Sequence, residues 1–200
     1  RGDKVESMIP FIIDNDGSTS SGHALMKESR WLWFRPTVIN ALLERPKGSL
    51  NWYTEDTGSV GAAPNRKVHF GVNSLGLVNV SAKDIALLPE IHKKIWVSHN
   101  VSPEGAVSSE LLKSQMEANP AKTIAPEVSF LESLNDVQEA FCKVFGNPLF
   151  KWHFLEDELL NRVSRFHSTD MNGIYRLSKE ISRLVIEKLD GNLLESLLPK

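Results

Sequence analysis

The spacing of apolar residues changes character along the chain. Up to about residue 80 they come in short runs or alternate, which is the period of a strand. Beyond that point they recur every three to four positions, which is the period of a helix. "MIPFIID" predicts a strand that ends in the Gly/Ser/Asp loop "DNDGSTSSG". "WLWF" (31–34) predicts a second strand. "PTVINALLERP" predicts a two-turn helix that starts at Pro36 and stops before Pro46. "LNWYT" alternates, with Leu50, Trp52 and Thr54 on one side. "GSVGAAPN" reads as a loop, and "KVHFGVNSLGLVNV" as a hairpin turning at "NSLG" with Val68, Phe70 and Val72 on one face.

The second part reads as helices. Ser81 and Asp84 have capping-box spacing and open a short turn. Pro89 is the expected first residue of a helix with Ile91, Ile95 and Trp96 on one face, and "SHNVSPEG" stops it. "SSELLKSQMEAN" predicts another helix. Ser129 and Glu132 repeat the capping-box spacing ahead of the stripe Leu134, Val137, Phe141, Val144 and Phe145, which ends at Gly146. Asn147 and Pro148 predict the start of a helix carrying Trp152, Leu155, Leu159, Val163 and Phe166. "HSTDMNG" breaks the pattern. The final stripe is Ile174, Leu177, Ile181, Leu184, Val185 and Leu189, closed by Gly191. The expected fold class is α+β: a small antiparallel sheet (1–80) packed with a bundle of four to five helices (81–200) as one domain.

Composition narrows this only slightly. Of 200 residues 41% are hydrophobic and 24% charged, enough to bury a core without metal or disulfide staples. A net charge of −2 provides no general attraction to nucleic acid or anionic lipid. A lone cysteine, Cys142, excludes an intrachain disulfide and a cysteine-rich metal site, and fits a reducing, cytoplasmic setting. No apolar run approaches a membrane span, so no membrane partner is expected. The chain opens without Met and stops at "ESLLPK", which reads as a fragment of a larger protein. On that reading Leu193, Leu194, Leu197 and Leu198 offer an apolar face to a protein partner or to the rest of the parent chain.

Candidate chemistry is sparse. The six histidines show no metal-ligand spacing, and no cofactor motif is present, so no cofactor is expected. Two acid pairs fall at strand ends, Asp14 with Asp16 and Glu55 with Asp56. Such pairs can hold a divalent ion for phosphodiester cleavage, but the lysine that completes a nuclease pattern is missing, and turn chemistry explains them equally. In "RVSRFH", Arg162 and His167 have about the spacing of the Arg…His pair of HEPN ribonucleases, which acts on the 2′-hydroxyl and phosphate. Val163 stands where those enzymes usually carry a polar residue, and a histidine at a helix end suits the dipole without any catalytic role. Trp31, Trp33, Phe34, Trp52 and Tyr53 lie near Arg30, Arg35 and Arg45. They could stack bases, but the charge balance favours a sheet core.

The order "FGVN", "DIALLPE", Trp96, then "HNVSPEG", followed by "RLSKEISRLVIEKLD", resembles a segment of large uncharacterised bacterial proteins, some of which continue into HEPN-like regions. The resemblance covers roughly residues 68–190. It implies a cytosolic bacterial parent and attaches no catalytic role to the matching positions. Asp84, Trp96, Asn100, Pro103 and Gly105 are therefore expected to be helix ends and a buried anchor. The function expected is a non-catalytic interaction or sensing module. Its alternative is a HEPN-like or metal-dependent nuclease acting on RNA or DNA.

Overall fold

A computed structural model describes residues 9–27, 29–151 and 163–198. The chain divides into two compact units, Arg1–Ala125 and Pro126–Lys200. The class is α+β.

In the first unit, β1 (Phe11–Ile12) and β2 (Thr19–Ser20) form a two-stranded ladder. Helix α1 (Gly22–Lys27) follows, then β3 (Trp31–Phe34), α2 (Thr37–Leu43), β4 (Ser49–Trp52), β5 (Thr57–Gly61), β6 (Val68–Val72) and β7 (Val78–Ser81). Helices α3 (Ala82–Ala86) and α4 (Glu90–Val97), strand β8 (Asn100–Val101) and helix α5 (Ser109–Met116) complete it. Six strands make one antiparallel sheet in the order β4-β5-β6-β7-β3-β8. The early strand β3 is thus inserted between two later ones.

The register sorts residues onto two faces. Leu50, Val60 and Val68 stand side by side, as do Trp52, Gly58, Phe70, Val80 and Leu32. This face is the core, and α2 buries Val38, Ile39 and Leu42 over it. Trp96 from α4 meets Phe34 edge-on at 4.8 Å, and Phe11 meets Phe34 at 6.3 Å. Each such aromatic or aliphatic side chain removed from water stabilises the fold by about 1.5–3 kcal/mol. The opposite face carries Thr57, Gly71, Asn79 and Trp33, and α5 lies against it: a Cβ on Gly71 would come within 2.6 Å of the Ser108 side chain.

Several local expectations need correction. The stretch "GSVGAAPN", read as loop, begins inside the fully buried strand β5, and β8 lies where "SHNVSPEG" was read only as a helix stop. The glycines of β5 hid it. A Cβ on Gly58 would fall 3.0 Å from the Phe70 ring, which packs on Trp52 at 5.6 Å, so the aromatic pair occupies the space a side chain would need. Ser81 occupies the N-cap of α3, but its side chain makes no capping bond. Pro89 sits at the N-cap of α4 rather than inside it. Ile91 is 70% exposed, and Lys93 takes a buried position on that helix instead.

In the second unit α6 (Pro126–Phe145) starts with its proline, so Ser129 lies inside the first turns and is no cap. No helix starts at Pro148: Phe150 is bridged to Leu189, and its N–H donates to Gln138 Oε1 at 2.9 Å. Trp152, Leu155 and Leu159 lie outside the described residues. Val163 and Phe166 are buried, the latter in a 3₁₀ turn (Arg165–Ser168). Helix α7 (Met171–Val185) is capped by Asp170, whose carboxylate accepts the Gly173 N–H. It ends at Val185, and Gly191 opens α8 (Gly191–Leu197) behind an Asp190 cap instead of closing the helix before it. Val163 and Leu184 form a small core with Phe130, Leu177 and Ile181 packed on it. Beside it the nearly buried Glu127 carboxylate grips Arg165, accepting from the backbone N–H at 2.9 Å and from Nη2 at 2.9 Å.

Candidate functional site

The acids singled out at strand ends are engaged in turns. Asp14 pairs with Arg30 at 2.6 Å. Asp16 accepts the Ser18 N–H at 2.9 Å, and that bond holds its carboxyl below the usual range. Glu55 and Asp56 lie in the β4–β5 turn, where their backbone N–H groups donate to Thr123 Oγ1 and to Glu110 Oε2, both at 3.0 Å. Among the described residues no three His, Cys, Asp or Glu side chains are placed to hold a metal ion. Arg162 lies outside the described residues. His167 is half-buried in the 3₁₀ turn, two residues beyond the gripped Arg165. Of the aromatic set, Phe34 and Trp52 are on the core face, Trp33 is on the opposite face, and Tyr53 is exposed with its hydroxyl 2.7 Å from Ser59 Oγ.

The residues carrying the resemblance are architectural in placement. Trp96 is 1% exposed. Asn100 clasps two strands: Oδ1 accepts the Ile12 N–H at 2.5 Å, and Nδ2 donates to the Trp33 carbonyl at 3.0 Å. The "FGVN" and "N-x-x-P-x-G" motifs meet through Asn73, whose Nδ2 donates to the carbonyls of Glu104 and Ala106 at 2.9 and 3.1 Å. These carbonyls flank Gly105, which has φ +69° and follows the half-buried Pro103 by two positions. Asp84 lies in the first turn of α3. Burial raises its pKa, and the nearby His69 opposes the rise only in part.

Sequence reasoning passed over a cleft in the first unit. The cleft, of about 320 Å³, opens between the α2–β4 turn, the end of β5 and helix α4. Pro46 lies three residues beyond α2, and the turn is closed by the Gly48 N–H on the Arg45 carbonyl at 2.8 Å. Gly48 has no room for a side chain, since a Cβ would fall 2.3 Å from the Leu42 carbonyl oxygen. The pinned turn presents Arg45, Pro46 and Lys47 to the cleft, and Ala62 adds to the wall. On α4, Ile91, His92 and Ile95 lie at i, i+1 and i+4 and supply the facing wall.

The electrostatics of this lining are one-sided. Neither Arg45 nor Lys47 makes an ion pair among the described residues, and no carboxylate, hydroxyl or thiol lines the cleft. His92 lines the cleft, and its Nδ1 is shut away from solvent without a partner, so that nitrogen is closed to a ligand. A bare lone pair is cheaper to enclose than an unpaired N–H, so the Nε2–H tautomer fits this setting. The cleft thus combines two cations and one N–H donor with an apolar wall. The signal in the sequence was "ERPKG": a proline-bounded turn with two cations and no acid after Glu44. Comparison with family models, with curated proteins and with solved structures returned no match.

Proposed function

We propose that the first unit is a non-catalytic sensing module that binds a small anionic molecule with an apolar body in the cleft between Arg45, Lys47 and α4. The observation that carries this reading is the uncompensated pair of cations beside Ile91, Ile95, Pro46 and Ala62. Binding sites of this kind join an apolar wall to a few converging polar groups. The absence of a carboxylate or nucleophile from the lining favours binding over chemistry. The resemblance to segments of large cytosolic bacterial proteins supports a role as one module of such a protein, with the remainder of that chain as its partner. Asn73 and Asn100 hold loops and strands in place and lie outside the cleft lining.

Titration with 8-anilinonaphthalene-1-sulfonate, an apolar anion, tests the reading. Saturable fluorescence enhancement is expected, weakened at least tenfold in the double variant Arg45→Glu/Lys47→Glu. Equal binding by the variant overturns the reading.

A further inference from the structure

We infer that the ligand of this cleft is a phosphomonoester of a compact apolar group; the inference rests on the binding role proposed above and names its chemical class. Charge comes first. Two cations line the cleft and no acid does. A monocarboxylate neutralises one of them and leaves the other facing an apolar wall. A phosphomonoester carries about −1.5 to −2 charges at neutral pH and three strong acceptor oxygens.

The chemistry of the donors points the same way. The arginine fork suits two phosphate oxygens, and lysine serves phosphate as a point charge. His92, whose Nδ1 is closed off, has Nε2 left as a donor for the third oxygen. Three donors of three kinds match one tetrahedral acceptor better than a planar carboxylate. Size limits the rest of the ligand. About 320 Å³ lies at the low end of small-molecule sites, so a single ring or short branched chain fits against Ile91 and Ile95, and a dinucleotide does not.

Isothermal titration of the whole protein with phenyl phosphate, benzoate and inorganic phosphate tests this. Phenyl phosphate is expected to bind at least tenfold tighter than either of the others. It should tighten between about pH 5 and pH 7 as its second proton leaves, near pH 6. Arg45→Gln and Lys47→Gln, both at exposed positions, should each weaken it at least fivefold with the melting temperature unchanged. Benzoate binding as tightly as phenyl phosphate would overturn the phosphate assignment and leave the anion-binding role standing. Failure of all three probes, in a protein that also ignores the naphthalene sulfonate, would overturn both.

Discussion

Asn73 uses both ends of its amide. Oδ1 accepts the N–H groups of Leu75 and Leu77, each at 3.0 Å, which shapes the β6–β7 turn, while Nδ2 ties that turn to the loop around Gly105. With the side chain nearly buried, removing it strands two donors and two acceptors. Asn73→Ala is expected to cost about 2–4 kcal/mol, read as a lower midpoint in urea unfolding. Trp96→Ala removes the ring that meets Phe34 and should cost about 3–5 kcal/mol by the same measurement. Asp84 runs the other way. Its folded pKa lies above its unfolded one, so its contribution to stability is fully present at acid pH and is lost as pH rises through the folded value. Asp84→Asn should therefore raise the melting temperature at pH 7, and the gain should vanish below about pH 4. A gain that persists at pH 3 would show that charge is not the cause. The burial of Trp96 follows from helical spacing. The double duty of Asn73 does not, because it depends on a loop thirty residues further on that no local pattern brings near.

At the scale of elements, the bodies of α5, α6 and α7 and the β6–β7 hairpin were legible, since each is written in a local period, whereas the helix ends expected at Ser129, Pro148 and Gly191 were misplaced. Strand β5 was not legible: Gly58 answers to the Phe70 ring and Gly61 to the backbone at Arg66, and a window along the chain cannot see across the sheet. The same blindness hid Glu110. Burial alone would push its carboxyl up, but hydrogen bonds from Thr54 and Thr123 and from the Asp56 N–H outweigh burial and hold it below its usual range. Through these bonds α5 is clasped to the β4–β5 turn and to the segment after the helix. A depressed folded pKa means that the stabilisation is present above the unfolded value of about 4.5 and is lost as pH falls through the folded one. Glu110→Gln is expected to lower the melting temperature at pH 7, with the gap to the parent closing in strong acid. A gap independent of pH would assign the loss to packing.

The whole chain divides at "NPAKTIAP", where two prolines fall within eight residues. Composition alone placed no linker there, because the segment is short and not low in complexity. In the second unit one nearly buried carboxylate ties α6 to the 3₁₀ turn. Glu127→Ala should cost that unit about 2–3 kcal/mol, seen as loss of hydrogen-exchange protection in α7 and α6. The α+β class was legible from the switch between two periods. The cleft was not, since its walls come from three elements far apart in sequence.

The insertion of β3 between β7 and β8 has a consequence for how the protein comes into being. Strands β4 to β7 pair with their neighbours in order and can zip up as they are made. The "WLWF" strand is finished long before either of its flanking strands exists, and Trp33 is bonded by Asn100, 67 residues downstream. At about 5–20 residues per second on the ribosome, this aromatic segment waits several seconds without an edge to join. During synthesis it is an apolar segment that must be kept from wrong partners for that time, and on refolding its place depends on contacts far apart in sequence, which form slowly.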